Sequence, residues 1–176
     1  MNNIFKISIL AFSFLMLPLI SQAKIPNDPF LKEQWYLNQV DIYKAWDYSV
    51  GSENVVVAVI DSGVEINHPD LQNNIWQNLN EIPGDGIDND NNGYVDDIYG
   101  WDFIEDVANP IPKVKFPRDD MDILGVSHGT IVAGIIAAQG DNNEGITGIS
   151  WNSKIMPLRV LNEYGSGRTA NVVKAI

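Results

Sequence analysis

Six consecutive residues, Val55-Val56-Val57-Ala58-Val59-Ile60, are apolar, and five of the six are β-branched. Gly51-Ser52-Glu53-Asn54 precedes them and Asp61-Ser62-Gly63 follows. A run of this length without polar alternation predicts a strand covered on both faces, the condition of a central strand in a parallel sheet. Further elements read around it. Val40–Trp46 predicts a short helix with Asp41 near its start, and Ile98–Phe103 predicts a strand. Lys154–Leu161 predicts another strand, with Pro157 at an irregularity because proline cannot donate to a ladder. Val126–Ala138 predicts a helix that is apolar on nearly every side, so it belongs inside a large core. Gly129 and Gly134 each cost that helix about 1 kcal/mol against alanine, which points to close backbone packing. Strand, helix, strand, helix is the pattern of an α/β fold with a parallel sheet. Thr169–Ile176 begins one more helix with no stop signal, so the chain reads as part of a domain.

The first segment reads as an export signal. Lys6 precedes Ile7–Ile20, a stretch of 14 mostly apolar residues without charge. A bilayer core needs about 20 helical residues. Pro18 breaks the stretch, and Ser21-Gln22-Ala23 puts small residues where a signal peptidase reads. A buried core helix is the other reading. The expectation is a signal peptide at 1–23 and a mature chain at 24–176, secreted to a periplasm or extracellular medium, with no membrane association after cleavage. The chain has no cysteine, which excludes a disulfide framework, thiolate zinc sites and a cysteine nucleophile. With 11 basic and 23 acidic residues and a net charge of −12, its surface is not built to track phosphates, so no nucleic-acid partner is expected.

Nine acids and no base fall between Glu81 and Asp106: Glu81, Asp85, Asp88, Asp90, Asp96, Asp97, Asp102, Glu105 and Asp106. They are interleaved with Ile, Tyr, Val, Trp and Phe, which a disordered acidic tail lacks. Within the run, Asp88, Asp90, Asn92 and Asp96 stand at the first, third, fifth and ninth places of a calcium-type loop, with Gly93 sixth and Tyr94 seventh. The twelfth place is Tyr99 and not glutamate, so this is no true EF-hand. The metal expectation is structural Ca2+ held by Asp88, Asp90, Asn92, Tyr94 and Asp96. A solvated acidic loop is the alternative.

Asp61 ends the predicted β-branched strand, the end at which open α/β sheets place functional groups. His128 opens the apolar helix, where the helix dipole disfavours an imidazolium and leaves a neutral ring able to accept a proton. Each alone also reads as structural, Asp61 as a loop cap and His128 as a packed histidine. Their surroundings are more specific. Val59-Ile60-Asp61-Ser62-Gly63-Val64 and His128-Gly129-Thr130-Ile131-Val132-Ala133-Gly134 each resemble a signature of the subtilisin-like serine proteases. Asn27-Asp28-Pro29 with Gln34-Trp35 resembles that family's amino-terminal arm, and His68-Pro69-Asp70-Leu71 follows the first signature as in many members. Gly145–Val160 resembles the segment after the histidine helix.

The resemblance implies an incomplete subtilisin-like three-layer fold, a parallel sheet flanked by helices, and serine endopeptidase chemistry on polypeptide substrates. It assigns Asp61 as the residue that orients His128, and His128 as the general base. Gly165-Ser166-Gly167 resembles the stretch that pairs with the substrate backbone, although the tripeptide alone is only a turn. The serines after position 23 (Ser49, Ser52, Ser62, Ser127, Ser150, Ser153 and Ser166) all lack the family's Gly-Thr-Ser setting. The nucleophile and oxyanion asparagine are thus expected outside this sequence, and the chain as given is expected to be inactive. Two departures stand out: Ile131 replaces a usual histidine, and no folding propeptide separates Ala23 from the arm. Insertions similar to the acidic loop occur in bacterial members, which supports calcium there. A non-catalytic calcium-binding or peptide-binding remnant remains the alternative, and an α/β hydrolase with Asp61 as nucleophile is a third class. Oligomeric state and substrate preference are not legible.

Overall fold

A computed structural model describes residues 24–113 and 127–176; the expected signal segment and Val126 lie outside them. Three strands, β1 (Val56–Asp61), β2 (Trp101–Asp102) and β3 (Lys154–Arg159), form a parallel sheet in the order β1-β3-β2. The β-branched run is therefore an edge strand among the described residues, and β3 holds the centre. Val55 and Val56 are exposed where full coverage was expected, whereas Ile155, Leu158 and Val160 in and beyond β3 are buried. Nor does Pro157 produce the expected irregularity. It pairs with Val59 in unbroken register, and β2 pairs only with Leu158 and Arg159, so a missing N–H at 157 removes no bond from that second ladder.

The expected single helix before β1 is two: α1 (Tyr36–Gln39) and α2 (Ile42–Trp46). Asp41 separates them with a left-handed backbone, φ 55°. Leu37, Ile42 and Trp46 pack with Trp151 in one apolar cluster. The arm that carries them is clasped from across the chain. Gln34 is buried and reads both polar groups of Thr147, donating from Nε2 to its carbonyl at 2.7 Å and accepting its amide at 3.0 Å. Trp46 Nε1 donates to Ile149 O at 2.9 Å.

The second cluster joins the sheet to α3 (His128–Ala137): Val59, Val64, Leu71, Ile75, Ala133, Ala137 and Ile155. This helix is not buried all round. Its small face, Gly129, Ala133, Gly134 and Ala137, is covered, while Ile131 and Ile135 stay exposed. Small residues at a contact let a helix axis come close to the sheet, and the larger side chains are displaced outward. The chain then returns to satisfy the open carbonyls at the helix end: Ile149 N bonds Ile135 O at 3.0 Å, Ser150 N bonds Ile136 O at 2.9 Å and Gly148 N bonds Ala138 O at 3.0 Å. Past β3, α4 (Thr169–Lys174) has no buried residue.

Toward the β2 edge of the sheet, Arg159 Nη1 donates to Asp102 Oδ2 at 2.6 Å, both side chains being almost wholly buried. Lys113 Nζ joins the same oxygen at 2.9 Å. Burial pulls the Asp102 pKa upward, but the hydrogen bonds from Lys113, Arg159 and the Ile104 and Glu105 amides outweigh it and hold the carboxyl below its ordinary value.

Ile155 is fully buried at the centre of the sheet. Ile155→Ala is expected to destabilise the fold by about 2–5 kcal/mol, read as a lower urea midpoint at an unchanged denaturant slope.

Candidate functional site

β1 delivers Asp61 to the carboxyl end of the sheet, and α3 delivers His128 as its first residue. The two meet: Asp61 Oδ2 lies 2.8 Å from His128 Nδ1. The other oxygen, Oδ1, accepts the Ser62 amide at 2.6 Å, which fixes the rotation of the carboxylate. The Asp61 side chain is 14% exposed and that of His128 61% exposed. A sheltered carboxylate thus faces a ring whose other nitrogen is left for chemistry.

What brings strand end and helix start together is visible in their neighbours. The Gly129 amide, one of the open donors of the helix's first turn, donates to Ser62 Oγ at 3.1 Å. Ser127, at the cap position, makes no such bond. Thr130 Oγ1 accepts the Glu65 amide at 3.0 Å. A Cβ on Gly129 would lie 2.3 Å from Gly63 O and 3.1 Å from the Asp61 Cβ, so only glycine allows this approach. Gly63 itself has φ +99°, and a side chain there would meet Pro110 O at 2.5 Å. Gly134, expected to serve the same purpose, has room: a Cβ there would meet only Ile146 Cδ1 at 3.6 Å.

Gly165-Ser166-Gly167 follows directly from this strand end. The Val160 and Leu161 amides both donate to Asp61 O, at 2.8 and 3.2 Å. Leu161 then bridges Gly167 in antiparallel fashion, and Asn162 Oδ1 accepts the Ser166 amide at 3.0 Å. Ser166 and Gly167 line a cleft of about 500 Å3 with Phe103, Ile104, Asn162 and Arg168.

In the acidic loop the structure gathers a set that the spacing did not single out. One carboxylate oxygen each from Glu81, Asp90 and Asp97 lies within 4.8 Å of the others. Asp90 is the only one of the five expected ligands in this group. Asp88 accepts the Asn92 and Gly93 amides, and Asn92 Oδ1 accepts the Tyr94 amide. Tyr94 puts its ring against Trp101 and Phe103, at 4.9 and 5.7 Å between centroids. Asp96, with φ 56°, turns its carboxylate to the Gly84 and Gly86 amides at 2.7 and 3.1 Å. The loop is drawn in by Glu81, whose oxygens accept the Asn89, Asp90 and Asp96 amides. Burial pushes the Asp97 pKa upward, hydrogen bonds from Asn78 and Asn92 pull it back, and the charges of Asp90 and Glu81 push it further up. Three oxygen donors with no basic residue in the segment suit a hard divalent cation.

Sequence reasoning missed Glu81 and Asp97 as a pair and Ser62 as the helix cap. Glu81 precedes the loop pattern by seven positions, which no contiguous motif covers. Asp97 adjoins Asp96, and only the turn at 96 decides which of the two faces inward.

A family model described as the subtilase family matches residues 52–176. The chain is 40% identical over 154 residues to subtilisin-like protease 1 of Plasmodium falciparum, an alignment covering 85% of this chain and 20% of that protein. It is 38% identical over 150 residues to halolysin of Haloferax mediterranei, covering 85% of this chain and 23% of that protein. Among solved structures, a protease of Pseudoalteromonas arctica matches with TM-score 0.59 at 28% identity, covering 86% of this chain and 43% of that one. The chain spans about a fifth to a quarter of the length of these curated relatives.

The two helix glycines give opposite expectations. Gly129→Ala should destabilise by about 2 kcal/mol or more, because the helix must back away from Gly63. Gly134→Ala should stabilise by about 1 kcal/mol through helix propensity. Urea denaturation of the two variants side by side checks both signs.

Proposed function

Because this chain belongs to the subtilase family, we propose that it carries the aspartate and histidine of a serine endopeptidase acting on polypeptides. The observation that carries the reading is the 2.8 Å contact between Asp61 Oδ2 and His128 Nδ1. With Nδ1–H donating to Asp61, His128 Nε2 is the basic nitrogen. It takes the proton of a serine hydroxyl as that oxygen attacks the scissile carbonyl, then gives it to the leaving amine. Asp61 keeps the ring in the useful tautomer and stabilises the imidazolium formed between those two transfers. The serine would come from a segment outside these 176 residues. Gly165-Ser166-Gly167, tied through Leu161 to the backbone of Asp61, would offer main-chain groups to the peptide substrate.

Export and calcium complete the proposal. A leader at 1–23 fits a secreted enzyme, and one relative, from Natrialba magadii, is named as an extracellular serine protease. Among the described residues no helix is long and apolar enough to cross a membrane. Glu81, Asp90 and Asp97 would hold structural Ca2+, with Asp88 and Asn92 shaping the loop around it. The ion would offset the mutual repulsion of these carboxylates and staple a chain that has no cysteine.

Two experiments test these readings. In a chain extended by a Gly-Thr-Ser-bearing segment, Asp61→Asn is expected to lower kcat about 10^4-fold, measured on a peptide substrate. A loss of less than tenfold would remove Asp61 from the relay. The 176-residue chain should not react with a serine-directed fluorophosphonate; labelling at any serine would overturn the placement of the nucleophile elsewhere.

Calcium linkage follows from Asp97. Its folded-state pKa is raised, so ionising it costs stability as pH climbs from the ordinary carboxylate range through the higher folded value. Below that window the cost is absent. Calcium binds the ionised form, so millimolar Ca2+ should raise Tm by about 5 °C at neutral pH and progressively less as pH falls through the same window. Asp97→Asn should abolish the increment, as read by differential scanning fluorimetry.

A further inference from the structure

Arg159 stands between two carboxylates. The register aligns Asp61 with Arg159 on one side and Asp102 with Arg159 on the other, so the three residues form a row across the sheet. Register partners in a parallel sheet project to the same face, and adjacent strands lie about 4.8 Å apart. Backbone position thus sets a carboxylate residue beside Arg159 on each neighbouring strand. The Arg159 side chain is 1% exposed, it cannot shed its charge, and its Nε has no hydrogen-bond partner. Glu105 Oε1 also lies 3.6 Å from Nη1, but its side chain is half exposed, so of the two sheltered carboxylates in the row the guanidinium takes whichever is better held.

That carboxylate is Asp102. Its Oδ1 accepts the Ile104 and Glu105 amides at 2.8 and 3.2 Å, and its Oδ2 accepts both Lys113 Nζ and Arg159 Nη1. Asp61 keeps Oδ2 for His128. Were a guanidinium to engage that oxygen, the ring would lose its Nδ1 acceptor or share it with a stronger donor.

We infer that Asp102 is a positioning residue for the Asp61–His128 pair, acting by keeping the Arg159 guanidinium away from Asp61. This rests on the reading of Asp61 and His128 as a proton relay. The role differs from that of a brace, because it vanishes when Arg159 is also removed.

The chain has two histidines, so two-bond 1H–15N correlation of the imidazoles in alkaline solution reads which nitrogen of His128 carries the proton, with His68 as internal reference. In the unaltered chain the Nδ1–H tautomer is expected, and Asp61→Asn should abolish it. If the unaltered chain lacks this tautomer, the relay reading fails first and on its own. Given that tautomer, Asp102→Asn should convert His128 to the Nε2–H form, and Asp102→Asn with Arg159→Met should restore Nδ1–H. Retention of Nδ1–H in a folded Asp102→Asn chain overturns the inference. Should Asp102→Asn alone not fold, the double variant decides: Nδ1–H retained supports diversion of Arg159. Loss of that tautomer, or of folding, makes the pair a brace and refutes the inference.

Discussion

The approach of one helix start to one strand end, with no side chain between them, governs this structure. Gly129 sits where any Cβ would collide with Gly63 O and crowd Asp61. From that contact the rest follows in order. The Gly129 amide reaches Ser62 Oγ, Thr130 Oγ1 reaches the Glu65 amide, and His128 reaches Asp61. The helix is apolar with a small inner face because the approach must continue along Ala133 and Ala137 to the buried Val59 and Ile155. The meeting of Asp61 and His128 is a by-product of backbone packing, and this is why a hydrogen bond of 2.8 Å is held in place by neighbours that carry no charge.

Charge is managed by a second principle, in which carboxylates drawn into the fold gather hydrogen-bond donors, although Asp28 Oδ1 is left without one. Asp102 takes two amides and two cations, and Glu81 takes three amides; the half-buried Asp96 caps a turn in the same way. Asp70 is buried and bonded to the Ile146 amide and to Asn142 at 2.9 Å each. Burial raises its pKa, and these two hydrogen bonds only partly reverse the effect. The contrast with Asp102 is instructive: amides alone moderate the cost of burying a carboxylate, whereas cations at the same oxygen reverse it.

Much of the fold was legible because it is local. The β-branched run, the helix from His128 and the strand from Lys154 all fall within one or two residues of their expected bounds, since periodicity and turn residues act over short stretches. Which strand is central was not legible. Coverage depends on what pairs with an edge, and Val55–Ile60 carries the same apolar signal whether or not a neighbour is present. The Asp61 and His128 pairing was legible only through the two signatures, as nothing in 67 positions of spacing brings them together by itself. The acidic loop divides the same way. Its oxygen-rich character is a property of composition, but the group at its centre is set by the left-handed turn at Asp96 and by Glu81, seven residues upstream of the pattern.

The Gln34 clasp also has a kinetic meaning. Its two bonds to Thr147 join residues 113 positions apart, and closing so long a loop delays native topology until most of the chain is available. A polypeptide of this kind emerges from the ribosome with its leading arm unfastened and its apolar Leu37 and Trp46 unsheltered. The latch cannot engage before Thr147 has been made, so the cover that Trp151 gives to Leu37 and Trp46 arrives only after a long intervening stretch has followed the arm.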